Sequence, residues 1–202
     1  RQRQMCIRDR DMASLTADVD LVSLAAHKFG GPKGVGLLAI RRGPVQPIVV
    51  GGGQEAGRRS GTSNVPGIVA MVAAMDETAR ERDRFAEVVG HERDAFEATL
   101  LSRLGAPIVT ASGAVRLPHF SHVRFPDVVA ESLLIRLDAA GVYAAAGSAC
   151  QSGAVESSHV LMAMGMDQKT AAECVRFTFG WDTEPGDGVR AADAVAAVVE
   201  AM

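Results

Sequence analysis

Residues 19–43 read VDLVSLAAHKFGGPKGVGLLAIRRG, two apolar runs separated by a glycine-rich turn. The runs 19–24 and 35–40 each have the length and continuity of a buried strand. Continuous apolar strands belong to sheets covered on both faces, the pattern of α/β proteins. The intervening HKFGGPKG holds three glycines and Pro32, a composition suited to a tight turn rather than to either strand. This strand–turn–strand unit sets the expected fold class as α/β.

Working outward, residues 47–50 form a further apolar stretch that leads into GGGQEAGRRSGT at 51–62. From Asn64 the period changes. Pro66 suits a first helical turn, with Ser63 or Asn64 as its cap. Ile68, Val69, Met71, Val72 and Met75 give a helical stripe. Phe85, Val88, Val89, Phe96, Leu100 and Leu104 continue an apolar face through a charged stretch. The charges, of both signs, read as the solvated side of one long helix or of a pair broken near Gly90. The remainder reads as a compact α+β unit. It has strands at 121–125, 142–146 and 174–179, and helices at 130–140, 157–164 and 184–201.

Composition narrows the class. The chain has 202 residues, 48% hydrophobic and 22% charged, which is globular rather than disordered or fibrous. Its formal net charge of -3 gives no basic footprint for nucleic acid or an acidic membrane surface. No apolar run approaches the ~20 residues of a membrane span. Cys6, Cys150 and Cys174 show neither a disulfide framework nor zinc-ligand spacing, so a reducing, cytoplasmic setting is expected. Residues 1–10, RQRQMCIRDR, lack periodicity and carry no export signal, and are expected to be non-native or disordered.

Four places could carry chemistry. Lys28, after His27 and just past a buried strand, is expected to be shielded by apolar residues. Such a lysine is neutralised readily and can form a Schiff base, whereas a solvated turn lysine, for which Lys33 is the control, does not. The 51–62 loop offers five glycines, Arg58, Arg59 and Thr62, either to an anion or merely as a flexible loop. Cys150 lies among small residues in GSACQSGA, a setting for a mobile thiol whose thiolate is the attacking form. Cys174, within ECVRFTF, reads instead as a small buried hydrophobe. Arg176 sits between Val175 and Phe177 and needs an anionic partner, a bound carboxylate or a structural ion pair. His119 and His122 face opposite sides of a strand, which argues against a shared metal. His91 belongs to the charged helix and His159 to a short one.

The runs SLAAHKFGGPKGVGLLAIRRG, GGGQEAGRRSGTSNVPGIVA, GVYAAAGSACQSGAVESSHVLMAMG and VRFTFG, in this order and spacing, resemble the cysteine desulfurases that supply sulfur for iron–sulfur clusters. The resemblance runs from about Asp18 to the C-terminus, and Gly-Ser-Ala-Cys points to the long-loop group. It implies the C-terminal half of a pyridoxal-phosphate-dependent, aminotransferase-like protein of fold type I. That half holds the end of the large-domain sheet, at 11–88, and a small α+β domain, at 89–202, with a long helix bridging the two.

The resemblance further implies a cytoplasmic homodimer that uses pyridoxal 5'-phosphate to convert L-cysteine to L-alanine. Lys28 matches the lysine that binds the cofactor covalently, and His27 the residue before it, whose ring contacts the cofactor phosphate. Thr62 matches the threonine that reaches the phosphate held by the second copy. Cys150 matches the nucleophile that takes sulfur as a persulfide for an iron–sulfur scaffold protein. Its only metal contact would be a transient one with the cluster under assembly. Arg176 matches the clamp for the substrate carboxylate. Ala25 stands where the family has a serine that binds phosphate. The lost hydroxyl would be worth roughly 1.5–3 kcal/mol to a charged partner. The upstream half of the family supplies further cofactor ligands, so this chain alone is expected to be inactive. Two other readings are a lyase of the same fold acting on selenocysteine or cysteine sulfinate, and a non-catalytic fragment that retains only interaction surfaces.

Overall fold

The computed structural model describes residues 2–4, 19–147 and 158–202. The chain divides into two compact units, Arg1–Asp83 and Arg84–Met202.

The first unit holds a three-stranded sheet in the order β1-β2-β3. Within residues 1–10, Gln2–Gln4 form β1, parallel to β2 at Leu21–Ala25. β3, Gly36–Ile40, returns antiparallel to β2, with Leu21 opposite Ile40 and Ala25 opposite Gly36. β2 alternates, burying Val22 and Leu24 with Val19, Ala26, Phe29 and Met71. β3 differs from the sequence expectation of cover on both faces. Among the described residues it is an edge of this sheet, and its Leu37 and Leu38 are exposed. Residues 47–50 form no strand, and Ile48 and Val50 are exposed.

Helix α1 runs without a break from Val65 to Leu104. Asn64 is its cap, its Oδ1 accepting from the Gly67 N–H at 3.1 Å. Gly90 does not interrupt it. A single glycine costs a helix about 1 kcal/mol, and the strong helix formers on either side outweigh that. Of the early stripe only Met71 is buried, while Ile68, Val69 and Val72 are exposed.

In the second unit, β4 (Ile108–Val109), β5 (Phe120–Arg124) and β6 (Cys174–Thr178) form an antiparallel sheet in that order. Helices α2 (Ala130–Ala139), α3 (His159–Ala163), α4 (Gln168–Ala171) and α5 (Asp187–Glu200) complete it. One sheet face supplies the core. Val123, Val175 and Phe177 pack with Phe96 and Leu100 of α1, Leu133 and Leu137 of α2, and Val195 of α5. Phe96 contacts Phe177 at 4.9 Å and Phe179 at 5.7 Å between centroids. The other face carries Phe120, His122, Arg124 and Arg176. The expected strand at 142–146 reduces to one bridge, Ala145 with Arg176, because only Ala145 exchanges backbone bonds with β6. Among the described residues, no helix is long and apolar enough to cross a membrane.

The start of α5 is fixed by a side chain from α1. Glu92 is buried, and its Oε2 accepts from the N–H groups of Gly188 at 2.8 Å and Gly186 at 3.1 Å. Gly188 admits this approach, since a Cβ there would overlap the Glu92 carbonyl oxygen. The Gly188 hydrogen bond holds the Glu92 carboxyl below its ordinary range. Burial opposes it, and Gly186 and His91 add to the lowering. Charge-assisted bonds of this kind contribute about 1.5–3 kcal/mol. A depressed folded value means that this stability is complete above the unfolded glutamate value of about 4.3 and is lost as pH falls through the folded one. Glu92→Gln is expected to lower unfolding stability by about 2 kcal/mol at pH 7 and by much less near pH 3. Urea unfolding of both proteins at the two pH values measures this, and an equal deficit at both would disprove the linkage.

Candidate active site

In the first unit, β2 runs directly into a 3-10 turn, Ala26–Phe29. Ala26 and Phe29 face inward at 0% and 2% exposure, which turns His27 and Lys28 outward. The turn is held at both ends. The Ala26 N–H donates to Val35 O at 3.0 Å, and the Gly31 N–H to Ala26 O at 2.9 Å. Thr78 Oγ1 of α1 donates to Phe29 O at 3.2 Å. Gly30 closes the turn at φ 89°, a conformation that favours glycine. Lys28 thus stands on a fixed turn, but it is exposed. The apolar shielding expected for it is not found within this unit, because its apolar neighbours point to the core.

Thr62 lies on a separate loop and is exposed. In that loop the Gly61 N–H donates to Gln54 Oε1 at 3.3 Å. Arg59 Nη1 donates to the carbonyls of Gly61 at 3.3 Å and Thr62 at 3.5 Å. Arg59 therefore shapes its own loop.

In the second unit, Arg176 lies on β6 facing away from the core, opposite His122 of β5. Its Cζ sits 5.7 Å from the Phe120 ring centroid. Its Nε is buried and has no hydrogen-bond partner among the described residues. Two other arginines of this unit, Arg116 and Arg124, are matched. Arg116 pairs with Glu97 through two bonds, at 2.7 and 2.9 Å, and Arg124 Nε donates to Glu173 at 2.8 Å. A pocket of about 380 Å³ opens at Arg176, lined also by Thr110, Arg116, Phe120 and His122. Gly147 and Ser158, which flank positions 148–157, line it too. Cys150 itself lies outside the described residues.

His122 titrates below its ordinary range, through burial first and the Arg176 charge second. His119 precedes β5 and stacks on Phe120 at 3.9 Å between centroids, away from the pocket lining. The two histidines are thus separated, as their spacing implies. Cys174 is buried at 1% exposure, with Sγ 3.4 Å from Thr170 O, and burial pushes its thiol up. His122, Thr110 and Phe120 were not singled out by the sequence as site residues. The one available signal was the alternation that sets His122 on the non-core face with Arg124.

Residues 7–187 match the family model for aminotransferase class-V. The chain is 38% identical over 184 residues to a cysteine desulfurase of Gluconacetobacter diazotrophicus, covering 91% of this chain and 46% of that protein. It is 42% identical over 168 residues to a cysteine desulfurase of Cereibacter sphaeroides, covering 82% and 43%. The chain therefore spans about half the length of the curated relatives it matches. Among solved structures, a NifS-like protein aligns with a TM-score of 0.85 at 29% identity, over 100% of this chain and 52% of its own. A NifS-like protein from Rickettsia africae aligns at 0.82 with 22% identity, over 99% and 52%, which shows a shared fold.

Proposed function

Since the chain belongs to the class-V aminotransferase family, we propose that it is the C-terminal part of a cysteine desulfurase that converts L-cysteine to L-alanine. The observation that carries this is the pocket at Arg176. Arg176 lines it with a buried Nε that has no hydrogen-bond partner among the described residues, and both flanks of the Cys150 segment line it too.

The donor set of the first unit fits pyridoxal 5'-phosphate. Lys28 offers an exposed amine to a carbonyl carbon, and His27 and Thr62 offer exposed donors, Thr62 to the phosphate held by a second copy in a homodimer. When bound, the cofactor supplies an electron sink for chemistry at the substrate Cα. Lys28 moves the proton at that Cα. Arg176 binds the substrate carboxylate and so fixes which end of L-cysteine faces the thiol. The Cys150 thiolate forms an S–S bond as the substrate Cβ–S bond breaks. The electron pair stays with carbon, which is protonated and leaves as L-alanine. The persulfide sulfur passes to an iron–sulfur scaffold protein in the cytoplasm, a role supported by the resemblance of the Gly-Ser-Ala-Cys segment.

Arg176→Ala in the full-length protein is expected to raise the KM for L-cysteine strongly, since a desolvated charge-assisted contact of order 2–5 kcal/mol is lost. Steady-state kinetics with a thermal melt measures it. An unchanged KM with a lowered Tm would make Arg176 a structural residue and remove the carboxylate assignment.

A further inference from the structure

The cation at the pocket does not stand alone. His122 lies opposite Arg176 in the β5–β6 register and lines the same pocket. Thr110 holds it twice. The Thr110 backbone N–H donates to His122 O at 2.8 Å, and Thr110 Oγ1 lies 3.0 Å from His122 Nδ1. The second contact occupies Nδ1 and leaves Nε2 as the ring nitrogen available to a ligand. A histidine fixed through one nitrogen by an outer hydroxyl is oriented for whatever the other nitrogen meets.

We propose that His122 is a second binding residue for the anion held at Arg176, donating from Nε2 to the carboxylate of L-cysteine while Arg176 supplies the charge. This rests on the reading of Arg176 as the carboxylate clamp. This role requires the Thr110 hydroxyl to donate to Nδ1, which places the proton on Nε2 and makes the neutral ring a donor at the pocket. Two donors of different chemistry, one charged and one neutral, discriminate a carboxylate by its two oxygens and its single charge. The surrounding charges favour this assignment. Arg116 is satisfied by Glu97 and Arg124 by Glu173. His159, at the start of α3, is exposed, and α3 gives the pocket only Val160 and Leu161. Among the described residues, Arg176 is therefore the charge that bears on His122. A carboxylate seated on Arg176 offsets that charge and makes a proton on His122 easier to hold.

The test uses the full-length protein and two isosteres. The amide nitrogen of glutamine reaches the place of Nε2, whereas that of asparagine reaches only the place of Nδ1. His122→Asn is expected to raise the KM for L-cysteine about tenfold or more with little change in kcat. His122→Gln is expected to restore KM to within about threefold of the parent. NMR of labelled histidine in the unsubstituted protein gives a readout without turnover. Added propionate, a carboxylate with no amine or thiol, is expected to raise the His122 titration midpoint, and Arg176→Ala is expected to raise it as well. A strong KM effect in Arg176→Ala with none in His122→Asn, or a midpoint unmoved by propionate, overturns the role of His122 and leaves the clamp intact. No KM effect in Arg176→Ala overturns the clamp, and the proposal with it.

Discussion

Lys28→Ala in the full-length protein is expected to abolish covalent attachment of pyridoxal 5'-phosphate and turnover of L-cysteine together. Loss of a positioned proton-transfer group alone costs roughly 10²–10⁴-fold in rate, and loss of the attachment point adds to it. The turn geometry makes the result specific. Lys28 sits between two inward-facing residues on a 3-10 turn held by Val35 and Thr78. Lys33 lies five positions on, past Gly30, Gly31 and Pro32, and is exposed on the loop that enters β3. Lys33→Ala is therefore expected to leave both attachment and turnover near parental levels. Borohydride reduction of the loaded protein followed by peptide mapping decides between them. Label on the Lys33 peptide would refute the assignment.

Cys150→Ala is expected to eliminate sulfide release from L-cysteine while cofactor binding persists, because no other thiol among the described residues can serve. Cys174 is buried at 1% exposure, and its thiol is pushed up by that burial, so it offers little thiolate at neutral pH. Cys174→Ala is expected to leave sulfide release intact and cost about 1 kcal/mol in stability, through lost packing against Leu161 and Ala171. Sulfide assays beside absorbance spectra separate the two variants. Full activity in Cys150→Ala would instead favour a lyase acting on selenocysteine or cysteine sulfinate, whose chemistry depends less on the thiol.

Much of the fold was legible because its signals were local. The apolar runs gave β2 and β3, Asn64 gave the start of α1, and Ser158 caps α3 through the Leu161 N–H at 3.5 Å. What escaped depends on distant pairing. Val142 and Tyr143 have strand propensity, yet residues 142–146 find only one backbone partner on β6. β4 is two residues long and exists through its register with Arg124 and Val123. In the site, Arg176 was conspicuous as a charge among apolar neighbours. His122 was not, because a histidine at a non-core strand position has the look of ordinary surface. Only the register that sets it against Arg176, with Thr110 behind its ring, distinguishes it. Lys28 shows the converse, a motif plain in the sequence whose exposure depends on which of its neighbours turn inward.

The join between Glu92 and Gly188 bears on how the second unit comes to be made. The two residues are 96 positions apart, and the bond that links them starts the last helix. On a ribosome, α1 emerges early and must wait for nearly the whole unit to be synthesised before Glu92 meets its partner. Until then Phe96 and Leu100 lack the cover of Val195, and a carboxylate lies on what will become an interior surface. The entropy of closing so long a loop grows only slowly with its length, by about 0.6 kcal/mol per doubling. Glu92 becomes the latch of the last helix only once the chain reaches Gly188.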